Sequence, residues 1–311
     1  MDFTIFYKSA YSNNFDWANL HQYDVFISTF DSSERVLSLF DRISAKEKHW
    51  FVTPHHKVGP NKPKNGKIFE FNCFNEDDFI ISYFENAKIT NNSSICIDIT
   101  GFIRPFIIFL FRYLSSKGFK KIDVIYTEPN RYIKSEETEF SGFVDQMRPV
   151  PGCSATDLYP SSENDVLLMS VGYDDQLITS VADSKKHCGL KYKIFGFPSL
   201  QADMYQESVL RTYNARESLG NDSLSIFAPA FDPFVTAQVL KETIDAFLSK
   251  TTANIYISPL ATKPQVLGFI IYYLFEGISK PVTIIFPYSR SYSINTCQGV
   301  NKTWLYTVEL P

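Results

Sequence analysis

The stretch SSICIDITGFIRPFIIFLFRYLSSKGFKKIDVIYTEPNRY, Ser93 to Tyr132, decides how the rest of the chain is read. It opens with a short apolar run that predicts a strand, Ile95 to Ile99. A polar turn follows, then Arg104 and Pro105, then a strongly apolar segment long enough for a buried helix. Proline suits the first helical turn because its missing N–H would have no partner inside the helix there. After Gly118 a second β-branched run ends in Pro129, with Arg131 and Tyr132 just beyond it. Strand, helix, strand in this order predicts a parallel βαβ unit.

The second half of the chain restates this unit. TANIYISPLATKPQVLGFIIYYLFEGISKPVTIIFPYSRSY, Thr252 to Tyr292, has the same run, the same basic residue before proline (Lys263 and Pro264), and the same close in Pro287, Arg290 and Tyr292. Working outward, DVFISTFDSSERVLSLFDRI from Asp24 corresponds to DVLLMSVGYDDQLITSVADS from Asp165. KHWFVTP from Lys48 corresponds to KYKIFGFP from Lys191, and IFEFNCFNEDDFIISYFENA from Ile68 to LSIFAPAFDPFVTAQVLKETIDAF from Leu224, with Asn75 and Asp232 as expected helix caps. Four segments in one order predict an α/β protein of two tandem Rossmann-like lobes with mostly parallel sheets, made by internal duplication. The expected division is a first lobe over 1–135, a connection over 136–164 and a second lobe over 165–311.

Two stretches break the symmetry. Ile133 to Asn164 is polar and carries Pro149, Pro151 and Pro160, so it reads as a connection with one short helix at most. SLQADMYQESVLRTYNARES from Ser199 has helical spacing of Met204, Val209, Leu210 and Tyr213, whereas its counterpart HHKVGPNKPKNG is a basic Gly/Pro-rich loop. The terminal TWLYTVEL alternates and is expected to add an edge strand.

Composition narrows the function classes. With 311 residues, 44% of them hydrophobic, the chain can bury more than one core. A formal net charge of -4 argues against broad, salt-sensitive binding to extended duplex nucleic acid, and leaves room for a small anion in a local basic cleft. The five cysteines are scattered without a CxxC pair, the expectation for reduced thiols in a cytoplasmic protein with no zinc cluster. No signal peptide is read at the N-terminus, and FIIFLF and VLGFIIYYLF are too short to span a bilayer, so no membrane partner is expected.

In an open parallel sheet, ligands bind beyond the carboxyl ends of the strands where strand order reverses. The turns expected at that edge are Ser28 to Ser33, Thr100 to Arg104, Thr127 to Tyr132, Ser170 to Asp175, Ser258 to Lys263 and Pro287 to Tyr292. A helix start offers free N–H groups and partial positive charge, so Thr100, Gly101 and Arg104 in one lobe and Ser258, Thr262 and Lys263 in the other are candidate phosphate contacts. Tyr132 and Tyr292 are candidates for stacking on bases, with Arg131 and Arg290 beside them. Each has a purely structural reading as well: Arg104 and Lys263 as solvated residues at helix starts, the tyrosines as core packing. Asp31, Glu34, Asp174 and Asp175 read as helix-start acids favoured by the dipole, with catalytic acids or metal ligands as the alternative, and His55-His56 as a polar loop without a completed metal set. GxGxxG, GxxxxGK[ST], GxSxG and HExxH are all missing from the sequence; no cofactor is implied, and no catalytic residue is assigned.

IDITGFIRPFIIFLFRYL resembles the strand-turn-helix hallmark of CARF domains, the Rossmann-like sensors of cyclic oligoadenylate in prokaryotic antiviral systems. The matching positions are Asp98, Thr100, Gly101 and Arg104; the second copy keeps Ser258, Thr262 and Lys263 and lacks the Thr-Gly pair. CARF domains work as pairs around a two-fold axis, and two fused copies would supply that pair within one chain, much as in the related SAVED domain. The resemblance implies a small phosphorylated nucleotide held across the pseudo-two-fold, with its phosphates near Arg104 and Lys263. No nuclease, helix-turn-helix or transmembrane effector is read after the second lobe, so the resemblance implies a free-standing sensor, a ring nuclease, or a subunit that hands the signal to an effector protein subunit. Two alternatives stand beside the sensor. One is a ring nuclease that positions a ribose 2′-hydroxyl in line with phosphate and needs no metal. The other is a non-enzymatic scaffold that keeps the duplicated frame for shape.

Overall fold

The computed structural model describes residues 1–56, 62–132, 144–289, 292 and 297–311. In chain order the elements are β1 (Lys8–Ser12), β2 (Tyr23–Thr29), α1 (Glu34–Arg42), β3 (Ala45–Val52), β4 (Lys67–Glu70), α2 (Glu76–Ala87), β5 (Ile95–Asp98), α3 (Arg104–Ser116), β6 (Lys121–Thr127) and β7 (Arg131–Tyr132). They continue as β8 (Gln146–Pro149), β9 (Val166–Val171), α4 (Asp175–Ser184), β10 (Leu190–Gly196), α5 (Met204–Asn214), α6 (Arg216–Leu219), β11 (Leu224–Ala228), α7 (Pro233–Leu248), β12 (Ile255–Pro259), α8 (Lys263–Tyr272), β13 (Val282–Tyr288), β14 (Cys297–Gln298) and β15 (Lys302–Glu309). Short 3-10 turns cover Phe3–Ile5 and Trp17–Asn19, and α8 runs on into a π-helical turn at Tyr273–Gly277.

Two mostly parallel sheets result, and their parallel parts have one topology. The first runs β4-β3-β2-β5-β6, and the second β11-β10-β9-β12-β13. Numbered within each lobe, both orders read 3-2-1-4-5, the doubly wound arrangement in which order reverses between the first and fourth strands. Ile95 pairs with Val25 as Ile255 pairs with Val166, so Ile95–Ile99 and Ile255–Pro259 are equivalent central strands. The lower ends of these strands are latched alike. Asp24 accepts the Ser94 N–H at 2.8 Å, and Asp165 accepts the Asn254 N–H at 3.0 Å.

The helices that follow the fourth strands are buried as their sequences demand. Phe106, Ile107, Phe109 and Leu110 of α3 and Val266, Phe269 and Ile270 of α8 are buried, as is Leu274 in the π-helical turn. At about 25 cal/mol per Å² of apolar surface, each such side chain contributes roughly 1.5–3 kcal/mol. Gly268 lets α8 approach α7 closely, since a Cβ there would lie 2.4 Å from the Pro233 carbonyl oxygen. Asp232 caps α7 through the N–H groups of Phe234 and Val235, at 3.0 and 3.1 Å. Asn75 holds the N-cap position of α2 but makes no side-chain cap bond.

The lobe boundaries differ from those the sequence suggests. One compact unit comprises Met1–Ile5 with Val144–Ser289; the other comprises residues 6–143 and 290–311. Strand β15 belongs to the first sheet, antiparallel to β6 on one side and to β1 on the other, so it is interior and β1 is the edge. Its Leu305 joins the core of Trp17, Phe26, Phe40 and Trp50. The N-terminal turn packs on α7 instead: the Phe3 N–H donates to Gln238 Oε1 at 3.2 Å, and the Phe3 and Phe275 rings meet at 5.8 Å. The connection also departs from expectation. Residues 133–143 lie outside the described residues, and the rest of the connection contributes a strand, β8, antiparallel to β13. Each lobe thus adds an antiparallel strand beside its fifth parallel strand, built from unrelated sequence.

Candidate functional site

At the first lobe's switch point, the carboxyl ends of β2 and β5 bring polar groups together. Asp98 is fully buried; its Oδ2 accepts the Ser28 hydroxyl and its Oδ1 the Thr100 N–H, both at 2.9 Å. Burial pushes its carboxyl up to about 6; the hydrogen bonds from Thr100 and Ser28 oppose that shift and the nearby charge of Asp31 adds to it. Thr100 in turn accepts the Thr127 N–H at 2.9 Å, tying the β5 turn to the end of β6. Arg35 of α1 donates from Nη1 to the Thr127 carbonyl at 2.9 Å, and the Thr127 and Thr303 hydroxyls lie 3.2 Å apart. Asp31 accepts both the backbone N–H and the hydroxyl of Ser33, which holds the turn before α1.

Gly101 has a local reason for its identity. A Cβ at this position would sit 2.3 Å from the Thr29 carbonyl oxygen, so only glycine lets the turn cross the end of β2. Arg104 follows as the half-buried first residue of α3.

In the second lobe the equivalent edge is built with different side chains. Ser170 accepts the N–H of Ala261 on its hydroxyl at 3.1 Å and that of Leu260 on its carbonyl at 3.2 Å. Thr262 caps α8 by accepting the Gln265 N–H and donates its own hydroxyl to the Ala230 carbonyl. Lys263 opens α8 half-buried, as Arg104 opens α3. Ser258 occupies in β12 the place Asp98 holds in β5: it is fully buried opposite Met169, one residue before the strand ends.

The residues beyond the fifth strands divide. Arg131 is exposed and donates to Gln298 Oε1 from Nε at 3.2 Å and from Nη2 at 2.8 Å. Asn130, Arg131, Gln298 and Gly299 line a pocket of about 360 Å³. The Tyr132 backbone pairs with Cys297. The Tyr292 N–H donates to the His55 carbonyl at 3.3 Å, and its ring lies 5.9 Å from the His55 ring. Arg290 lies outside the described residues.

His55 and His56 lie in a turn after β3, and both are buried there. His55 packs on Phe74 and Phe106, and burial, with the adjacent His56, pushes it down to about 4. Among the described residues no cluster of three or more His, Cys, Asp or Glu is placed to hold a metal ion. Asp174 caps α4 through the Leu177 N–H at 3.1 Å, as the helix-start reading of this acid expects.

Sequence reasoning passed over two groups at the first lobe's edge. Arg35 stands in the first turn of α1, where a cation opposes the helix dipole; that misplacement is the signal that could have found it. Glu128 is buried just past β6 and accepts the Trp304 indole N–H at 2.6 Å and the Asn301 amide at 3.2 Å, with burial holding its carboxyl above the usual range. Its partners arrive from the far end of the chain, which no local pattern reveals.

No protein-family model and no curated protein matches this sequence. Among solved structures, the crystal structure of an N-terminal ketoreductase from macrolactin assembly line aligns with 89% of this chain and 72% of its own at 8% identity. The TM-score is 0.25, a likeness that carries no argument about activity. The fold rests on the two sheets themselves, and they are those of a Rossmann-like α/β protein.

Proposed function

We propose that this chain binds a small phosphorylated nucleotide and acts as a cytoplasmic sensor of cyclic oligonucleotides in prokaryotic antiviral defence, signalling to an effector subunit. One observation carries this reading: both lobes start the helix after their fourth strand with a basic residue and a proline, at the edge where strand order reverses. The partial positive charge of a helix start favours an anion, and a neighbouring cation adds a charge-assisted contact. The absence of any helix among the described residues long and apolar enough to cross a membrane is compatible with this reading.

Calorimetry with a panel of cyclic and linear oligoadenylates on wild type, Arg104→Ala and Lys263→Ala tests it. Each substitution is expected to weaken binding by about 1.5–3 kcal/mol, the scale of a hydrogen bond to a charged group, with folding intact. Baseline heats for every ligand, or equal affinity in all three proteins, would refute the sensor reading.

A specific observation favours a scaffold as the second reading. Thr100 and Asp98 are engaged by Ser28 and Thr127, and Gly101 is required by the Thr29 carbonyl, so the Thr-Gly turn has a structural cause without a ligand. A chain that binds none of the panel would leave that reading ahead.

A further inference from the structure

Among the described residues, the second lobe carries a helix, α5, that the first lacks, and its outer face continues into an open sheet edge. Tyr205 of α5 sits 5.3 Å from Phe197 and 6.2 Å from Phe227 between ring centroids, joining the helix to the end of β10 and to β11. From Tyr205 the stripe runs along α5 through Val209 and Tyr213, four residues apart and therefore on one face, with Leu210 beside it. Val209, Leu210 and Tyr213 are 40%, 60% and 62% exposed, and Phe197, Leu224 and Phe227 are 52%, 47% and 48% exposed.

β11 is the outermost strand of its sheet. Its counterpart at the edge of the first sheet, β4, is guarded by charge: Lys67 pairs with Glu47 and Glu70 with Lys62. Such charges discourage edge-to-edge pairing. β11, with sequence LSIFA, carries none.

We propose that β11 and α5 form the interface of a homodimer, in which β11 pairs antiparallel with β11 of a second copy. The Ala228 carbonyl accepts the Phe197 N–H at 2.9 Å and so points toward β10. By the two-residue alternation of a strand, the backbone groups of Ser225 and Phe227 point outward. A two-fold axis at Ile226 sets Ser225 opposite Phe227 of the partner subunit, so each such pair exchanges both N–H···O bonds. Pro229, with no N–H, ends the donor row and limits the register. Because the strand is uncharged, self-pairing sets no like charges opposite each other. Area is sufficient as well. Aromatic side chains bury about 150–250 Å² each, so the three half-exposed rings of Phe197, Tyr213 and Phe227 offer roughly 300 Å² per copy, and Val209, Leu210 and Leu224 with the open backbone edge of β11 bring this to roughly 600 Å². The resulting total of about 1,200 Å² reaches the lower bound of a stable interface.

Sedimentation velocity of the full chain over about 1–100 μM is expected to show a monomer–dimer equilibrium. Phe227→Lys and Leu210→Glu, with unchanged circular dichroism, should each raise the dimer dissociation constant at least about tenfold. In hydrogen exchange, the amides of Ser225 and Phe227 should gain protection as concentration rises. A wild type that stays monomeric throughout overturns the proposal and leaves the patch to a different protein. Either folded variant that dimerises like wild type also overturns it; if Phe227→Lys fails to fold, Leu210→Glu decides.

Discussion

Replacing Asp98 with Asn asks how much of this protein's pH dependence comes from one carboxyl. Asp98 is fully buried, and its carboxyl is pushed up to about 6, chiefly by burial, against about 3.9 in an unfolded chain. The folded state therefore holds the proton more tightly than the unfolded state. The stability linked to this group is fully present below about pH 4, is lost as pH rises through 6, and is gone above that. A shift of about two units corresponds to roughly 3 kcal/mol at about 1.4 kcal/mol per unit. Asparagine has the same shape but does not titrate. The stability difference, wild type minus Asp98→Asn, should thus fall by roughly 3 kcal/mol between about pH 4 and pH 7. At neutral pH Asn also gives up one of the two acceptor oxygens facing Ser28 and Thr100, a constant offset that leaves the slope intact. Urea titrations of both proteins at half-unit pH steps would measure it. A difference that stays flat across this window would show that Asp98 ionises normally and that its surroundings are more polar than the contacts imply.

Gly101→Ala should destabilise the first lobe by about 2–3 kcal/mol, because the new methyl meets a backbone carbonyl that cannot move aside. Chemical denaturation reads the loss, and an unchanged midpoint would return Gly101 to the ligand-binding reading. For the thiols, Cys73 and Cys297 are half-buried whereas Cys96, Cys153 and Cys188 are buried. Burial raises the thiols of Cys73 and Cys96 and pushes Cys188 up to about 12, so access to solvent decides which react. A thiol reagent at pH 8 should therefore label the first two in the native protein and the other three only on unfolding, as mass spectrometry of digested samples would show.

Much of the frame was legible because it follows from local pattern. The apolar runs around Ile95 and Ile255 can only be central strands, the proline-started segments after Arg104 and Lys263 can only be buried helices, and their repetition in one order implies equal topology. The candidate turns also fall at the strand ends where the pattern puts them. What was misread depended on distant partners. Ser258 stands opposite Met169 as Asp98 stands opposite Ser28, and only the register with those partners shows that both side chains are closed off from solvent. His55 and His56 look like a basic loop until Phe74 and Phe106 close over His55. Arg35 and Glu128 become part of the edge only through Thr127 and Trp304.

The amino-acid sequence by itself determined that this chain makes two Rossmann-like lobes of the same plan, since strand and helix periods, proline starts and apolar runs are properties of neighbouring residues. Only the tertiary structure decided that β15 sits between β1 and β6, that β8 extends the other sheet, and that Met1–Ile5 belongs with Val144–Ser289. A strand's pattern states which face it buries but not which edge receives its backbone hydrogen bonds. That choice appears only in the register that joins β15 to β6 and β1, and β8 to β13.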